Sequence, residues 1–319
     1  MKKTRLALLS GGISSERDVS LNSGKQVFDA LDKDKYDIAL YDPKTDLKQL
    51  VMDAERIDAA LIILHGPFGE DGTVQGLLDL LDIPYQGAGV LGSAMAMNKL
   101  VSKRLYEGAK IPTPSYLSFS MNESIDPSSV LDVLGLPLVV KPVCAGSSVG
   151  MTIVRTREDL DAAIHLAFTQ DDAIILEKYI KGIELTCGVL GNDELEALPV
   201  IEIVPGVGHD FFDYTAKYTA GETQEICPAR IDEATTINAQ DLALKAHQAL
   251  FLNGYSRTDM IFSNSELFVL ETNTIPGMTA TSLYPQSAQV AGYTFTQLLD
   301  KLIQLAIKDH EKSKLRRSL

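Results

Sequence analysis

Four residues, Arg257, Asp259, Glu271 and Asn273, are of types that handle cations and phosphates. They flank or lie within two short runs rich in Ile, Phe, Val and Leu, 258–263 and 267–271, joined at the turn formers Asn264-Ser265. Alternate residues of a strand share a face, so Arg257 and Asp259 lie together, as do Glu271 and Asn273. With a connecting loop of odd length, such as 264–266, Asp259 falls opposite Glu271. Met260, Phe262, Phe268 and Leu270 then turn to the other face, toward a core. Two neighbouring carboxylates repel unless a positive charge lies between them. With an amide oxygen they form a hard donor set that suits Mg²⁺, which completes its octahedron with water and phosphate oxygens. Taken alone, the hairpin fits a solvated surface turn equally well.

Phosphate-binding chemistry appears again upstream. Lys141 ends an apolar run immediately before Pro142, where an ammonium is costly to bury without an anion. The segment Ala145-Gly146-Ser147-Ser148-Val149-Gly150 offers backbone N–H groups and hydroxyls that suit phosphate. With strands expected on either side, 138–142 and 151–154, it reads as a hairpin lid. A second lid is expected at 205–228, a long irregular segment whose Phe211, Phe212, Tyr214 and Tyr218 argue that it packs down.

These residues need a scaffold. The 319 residues suggest two or three domains with ample cores. A formal charge of −14, from 29 basic and 43 acidic residues, disfavours backbone-driven nucleic-acid binding. Three cysteines without paired spacing argue against a disulfide framework and zinc, and fit a reducing cytoplasm. No run approaches the roughly 20 apolar residues that span a membrane, and the opening apolar run is too short for a signal peptide. Strands at 5–9, 38–41 and 59–64, with a helix at about 21–31 and another near 47–55, describe an α/β unit. The Gly11-Gly12 pair lacks the spacing of a dinucleotide fingerprint, which disfavours a dehydrogenase. Glu16 and His65 both follow strand ends and look into one crevice. His65 is read as a hydrogen-bonded loop histidine rather than a proton carrier. Antiparallel strands follow, with Glu177 and Glu184 flanking the break at Gly182. A helix at 234–250 leads to the hairpin. Phe295, Leu298, Leu299, Leu302, Ile303 and Ala306 fall at helical spacing, so a core-facing helix closes the fold, and the charged 311–319 segment is expected to fray.

In this order the pieces resemble the D-alanine–D-alanine ligases of the ATP-grasp superfamily. The resemblance runs nearly the whole chain. It is carried by Ser10-Gly11-Gly12 with Ser15-Glu16 and Val19-Ser20, by His65-Gly66 with Gly69-Glu70-Asp71-Gly72, and by Lys141-Pro142 with 146–151. Tyr214-Thr215-Ala216-Lys217-Tyr218, Arg257-Thr258-Asp259 and 271–279 complete it. Thr272 and Ile275 stand where Ala and a small polar residue are common. The ordered set is highly specific, whereas each block alone is modest evidence.

The resemblance implies a Rossmann-like α/β domain (1–87) followed by an ATP-grasp of two parts (88–180 and 181–319). It implies ligation of two D-alanine molecules through an acyl phosphate, for peptidoglycan precursor synthesis, by a cytoplasmic homodimer. ATP and two Mg²⁺ ions, replaceable by Mn²⁺, are the implied cofactors, with Asp259, Glu271 and Asn273 as metal ligands. Lys99, Lys141 and Lys217 would contact phosphates beneath Ser147 and Ser148. Glu177, Lys178 and Ile180 would border adenine, and Glu184 would accept from the ribose. Arg257 and the N–H of Gly277 would face the oxyanion. Glu16 would meet the first ammonium, with Ser147 and Tyr218 linked to it and His65 nearby. Ser282 and the backbone of Leu283 would bind the second carboxylate. Tyr218 favours an amine nucleophile over a hydroxy acid. A ligase using D-lactate or D-serine is the nearest alternative, and a non-catalytic ATP-binding module is the alternative of another class. The intact metal set and Arg257 argue against the latter.

Overall fold

The computed structural model describes residues 2–146, 149–206 and 223–317. Three sheets organise the chain. The first is parallel, with β1 (Thr4–Ser10) between β2 (Tyr36–Tyr41) and β3 (Ala59–Ile63). Every residue of β3 is buried, which is what a continuous apolar run needs: cover on both faces. Helices α1 (Arg17–Ala30), α2 (Leu47–Asp53) and α3 (Thr73–Leu80) connect and flank these strands. α1 begins at Arg17, ahead of its apolar stretch. Its first turn is held by polar contacts instead: Arg17 Nη1 donates to Asp42 Oδ1 at 3.0 Å, and Asp18 sits at the positive end of the helix. Glu16 is thereby fixed at the N-cap position.

Helices α4 (Val90–Met97) and α5 (Lys99–Gly108) lead to the second sheet. Asn98 separates them, and its side chain accepts from Val101 N at 2.9 Å, capping α5. The sheet is antiparallel, in the order β4 (Tyr116–Ser120), β7 (Ala173–Lys178), β5 (Leu138–Pro142), β6 (Thr152–Val154). Helices α6 (Pro127–Leu134) and α7 (Leu160–Phe168) close one face, packing Val130, Leu134, Leu160 and Ala163 on Leu138, Val140 and Leu176. β5 and β6 pair as the hairpin expected around the Gly-Ser segment.

The third sheet runs β11 (Thr223–Ile226), β10 (Ile201–Pro205), β8 (Ile183–Gly191), β12 (Gly254–Ser263), β13 (Glu266–Asn273), with β9 (Glu196–Ala197) paired on β8. Helix α8 (Glu233–Ala249) covers its back, burying Ala239, Leu242, Ala243 and Ala246 against Cys187, Val189 and Val269. After α9 (Leu283–Val290), helix α10 (Phe295–Arg317) returns to the first sheet. There Leu298, Leu299, Leu302 and Ile303 share a core with Leu6, Leu8, Leu61 and Ile63. The charged end of α10 stays helical through Arg317 rather than fraying from 311. Lys314 Nζ reaches Asp82 Oδ2 at 2.6 Å and supplies the anchor that composition did not reveal. Among the described residues no helix is long and apolar enough to cross a membrane.

The hairpin of β12 and β13 reaches the expected pairing by a different route. Asp259 stands opposite Glu271 and Arg257 opposite Asn273. The turn, however, is the two-residue Asn264-Ser265, with Ser263 paired to Glu266 and both turn residues at positive φ, 50° and 66°. An even loop would set Asp259 against Leu270. A bulge after Asp259 shifts the register, so that Met260 pairs with Val269 and Leu270 is the extra residue. The inward set changes accordingly. Met260, Leu267 and Val269 are in the core and Phe262 packs at its edge. Leu270 instead lines the cavity described below, and Phe268 pairs with Ile261 of the cavity wall and is only half-buried.

Candidate active site

The second and third sheets enclose a cavity of about 360 Å³. Eight of the expected site residues line it: Lys99, Lys141, Glu177, Lys178, Ile180, Glu184, Asp259 and Glu271. Arg257 and Asn273 extend the carboxylate wall along the same strand pair. Ser147, Ser148, Lys217 and Tyr218 lie outside the described residues, as do Phe211, Phe212 and Tyr214.

One wall is cationic. Lys99 opens α5 and its Nζ donates to the Ala145 carbonyl at 2.6 Å. The same ammonium stands 3.8 Å from Glu271 Oε2, so it spans the two walls. Burial pulls the Lys99 pKa down, Glu271 opposes this, and Lys141 adds repulsion. Lys141 Nζ lies 2.9 Å from Glu177 Oε2, and the other oxygen of Glu177 lies 3.1 Å from Lys103 Nζ. Burial alone would raise the Glu177 carboxyl, but the two lysines outweigh it and hold it below the usual range. Lys103 is a residue that the sequence did not expose. It is 1% exposed, and burial pushes its pKa down to about 8 despite Glu177.

The facing wall is acidic. Asp259 Oδ1 accepts from Arg257 Nε at 2.9 Å and from Thr186 Oγ1 at 2.6 Å. Its Oδ2 accepts from Arg257 Nη2 at 2.7 Å and from Asn273 Nδ2 at 3.2 Å. Thr186, buried on the neighbouring strand, is a second residue the sequence did not expose: it gains meaning only from the β8–β12 register that sets it beside Asp259. The donor set fits a hard divalent cation. Two carboxylates face each other across the strands, and the longest donor to Asp259 belongs to the amide that carries the third oxygen.

Two further clusters hold other expected site residues. In one, Glu16 is 7% exposed, and a Cβ placed on Gly66 or Gly146 would come within 2.9 or 3.0 Å of Glu16 Oε2. Gly66 also has φ +70, so both space and backbone call for glycine there. The first glycine of the Gly-Ser segment therefore abuts the first domain. His65 is buried beside this point, its Nδ1 3.2 Å from Glu70 Oε1. Burial opposes its charged form, but Glu70 and Glu16 together raise its pKa. Glu70 was visible in the sequence as part of a motif, yet its service to His65 was not. In the second cluster, Ser282 precedes α9, and its Oγ accepts from Thr279 N at 3.1 Å. A Cβ on Gly277 would lie 3.0 Å from that Oγ, so Gly277 and Ser282 are immediate neighbours. Leu283 begins α9 and packs on Ile201 and Ile203.

Two antiparallel sheets closing on a cavity, lysines on one side and hard oxygen donors on the other, behind a parallel α/β unit, define an ATP-grasp enzyme. Known proteins narrow the class. Residues 105–304 match the family described as the D-ala D-ala ligase C-terminus, and residues 40–88 match the D-ala D-ala ligase N-terminus. The chain is 59% identical over 308 residues to a D-alanine–D-alanine ligase of Syntrophobacter fumaroxidans, covering 97% of this chain and 99% of that one. It is 53% identical over 315 residues to the one from Desulfotalea psychrophila, covering 98% and 97%. Among solved structures, the D-alanine–D-alanine ligase of Bacillus anthracis complexed with ATP aligns with TM-score 0.86 at 34% identity, covering 97% of this chain and 99% of that one. The VanG D-Ala:D-Ser ligase of Enterococcus faecalis aligns with TM-score 0.83 at 36% identity, covering 96% and 100%. The chain belongs to the D-alanine–D-alanine ligase family.

Proposed function

We propose that this chain joins two molecules of D-alanine at the cost of ATP, making the dipeptide used as a cell-wall precursor. The observation that carries this reading is the pair of opposed walls in one cavity. Lys99 and Lys141 face Asp259 and Glu271 across a space suited to a nucleotide, and Glu16 abuts Gly146, the residue after Ala145 of the cavity lining.

A carboxylate is a poor electrophile, and phosphorylation gives it a leaving group. The first D-alanine carboxylate takes the γ-phosphoryl group of ATP, releasing ADP. The amine of the second D-alanine then attacks the acyl carbon, loses its extra proton, and expels phosphate. The chain's work is positioning and charge neutralisation. Glu16 pairs with the first ammonium, with His65 set beside it by Glu70. Lys99 and Lys141 counter the phosphate charge, with Lys217, Ser147 and Ser148 assisting from outside the described residues. Glu177, Lys178 and Ile180 border the base, and Glu184 accepts from the ribose. Asp259, Glu271 and the amide oxygen of Asn273 would hold two Mg²⁺ ions, which when bound neutralise phosphate oxygens. Arg257, oriented by its two bonds to Asp259, and the N–H of Gly277 offer preorganised donors to the tetrahedral oxyanion. Ser282 and the N–H of Leu283 receive the second carboxylate at the start of α9, where the helix dipole favours an anion.

Phosphate release with ATP and Mg²⁺ tests the reading. D-Alanine should drive turnover and L-alanine should not. Absence of D-alanine-dependent release sinks the proposal. Faster release when D-serine or D-lactate accompanies D-alanine transfers the second-substrate role to that compound.

A further inference from the structure

The charge count behind the lysine wall is uneven. Glu177 is one carboxylate between two ammonium groups, Lys103 on Oε1 and Lys141 on Oε2. The two lysines are not equivalent. Lys141 lines the cavity, and Glu177 is its one ion-pair partner among the described residues. Lys103 does not line the cavity. Its ammonium lies 3.1 Å from Glu177 Oε1 and donates hydrogen bonds to Thr113 Oγ1 at 2.6 Å and to the Pro114 carbonyl at 3.3 Å. Its ammonium also lies 5.2 Å from the centre of the Tyr116 ring. Helical spacing puts Lys103 one turn behind Lys99 on the same face of α5. One helix thus presents an ammonium to the cavity and a second, deeper one to the carboxylate behind it.

We propose that Lys103 is a positioning residue for phosphate binding: it neutralises Glu177 from behind and leaves the charge of Lys141 for the phosphates of the nucleotide. Without Lys103, the whole buried charge of Glu177 falls on Lys141. The tighter pair then draws that ammonium back from the cavity and cancels its field there. Lys103 also ties the 113–114 segment, whose Pro114 lines the cavity, to β7 through Glu177. Three walls of the nucleotide site meet on one ammonium that touches no ligand. The inference rests on the nucleotide half of the proposed function and needs no amino-acid substrate.

The test is binding of ADP and of adenosine to the full chain by calorimetry or by displacement of a fluorescent nucleotide. Lys103→Met should weaken ADP about tenfold and adenosine by less than about twofold, because a single charge-assisted contact is worth roughly that factor. Lys103→Arg, which keeps the charge, should recover most of the loss. In a Glu177→Gln background there is no carboxylate to neutralise, and Lys103→Met should change the ratio of ADP to adenosine affinity by less than about twofold. Equal losses for ADP and adenosine indicate a collapsed pocket and overturn the proposal, as does an unchanged ADP affinity. An undiminished phosphate effect in the Glu177→Gln background overturns it too. If Lys103→Met alone does not fold, the comparison of Glu177→Gln with the double variant decides. Failure of the wild-type chain to bind ADP would sink the ligase reading itself. Normal wild-type binding with an unaffected Lys103→Met sinks only this inference.

Discussion

The two faces of the third sheet are built from the same strands and follow opposite rules. Along β12, Asp259 lines the cavity with Arg257 beside it on the same face, while Ser256 and Thr258 point to the back. The front is charged: Arg257, Asp259 and Glu271 stay partly accessible, Asp259 accepts hydrogen bonds from Arg257, Thr186 and Asn273, and Glu271 lies 3.8 Å from Lys99. The back is fully buried, and its polar groups are neutral. Ser256 bonds His247 Nδ1 at 2.8 Å, and Thr258 meets Thr272 at 3.0 Å, which in turn accepts from Tyr106 Oη at 2.8 Å. Desolvation explains the division. A neutral hydroxyl with a partner is cheap to bury, whereas a charge is not unless it is matched. The front can therefore bind ions and phosphates, and the back can only hold the sheet to α5 and α8.

This division makes the faces separable by mutation. The largest effect belongs to the front. Glu271→Gln keeps shape and packing but removes the charge from the half-exposed carboxylate that faces Asp259. Turnover should fall on the order of a thousandfold or more, with the melting temperature and the far-UV spectrum close to wild type. Near-normal phosphate release would refute the metal role of Glu271 and blur the contrast between the faces.

A middle effect comes from acid and the back face. Burial pushes the His247 pKa from 6.5 down to about 4, and its Nε2 has no hydrogen-bond partner among the described residues. The imidazole is therefore neutral in the folded chain and charged in the unfolded chain below pH 6.5. The unfolded state binds the extra proton, so stability falls as pH drops from 6.5 to about 4. The accumulated loss is about 3 kcal/mol. Urea titrations of wild type and His247→Gln across this window isolate the contribution, since the carboxylates titrate in both. A difference that does not grow toward pH 4 would show that His247 is already charged in the fold.

How much of this was legible beforehand depends on how far apart the partners lie. Local patterns read well. The apolar run of β3, the helical spacing of α10 and the alternation that gathers Arg257, Asp259, Glu271 and Asn273 all appear as expected. The bulge at Leu270 did not show, because residues 267–270 are all apolar and mark no register. An odd turn was inferred where a two-residue turn and a bulge share the task. The early start of α1 was hidden for a related reason: its first turn is anchored by Arg17 on Asp42, a contact with another element. Lys103, Thr186 and Glu70 were missed as participants because each acts through a partner that only folding brings near. A lysine's burial cannot be read from a helix whose exposed face carries Arg104 and Glu107.

The smallest effect tests the back face within one hydrogen-bond chain. The Thr272 hydroxyl lies between Tyr106 and Thr258, all three buried. Thr272→Val preserves the β-branched shape and removes the acceptor. The stranded Tyr106 hydroxyl should cost about 1–3 kcal/mol of stability, because a buried donor without a partner bears its full desolvation penalty. Adding Tyr106→Phe removes the stranded group and should recover part of that loss, an outcome a simple cavity does not produce. Turnover should change by less than about threefold in both variants, since neither side chain reaches the cavity and the front-face bonds remain. A tenfold or greater loss of activity at unchanged stability would mean that the hydroxyl chain positions the carboxylates through the strand, and that the two faces are one device.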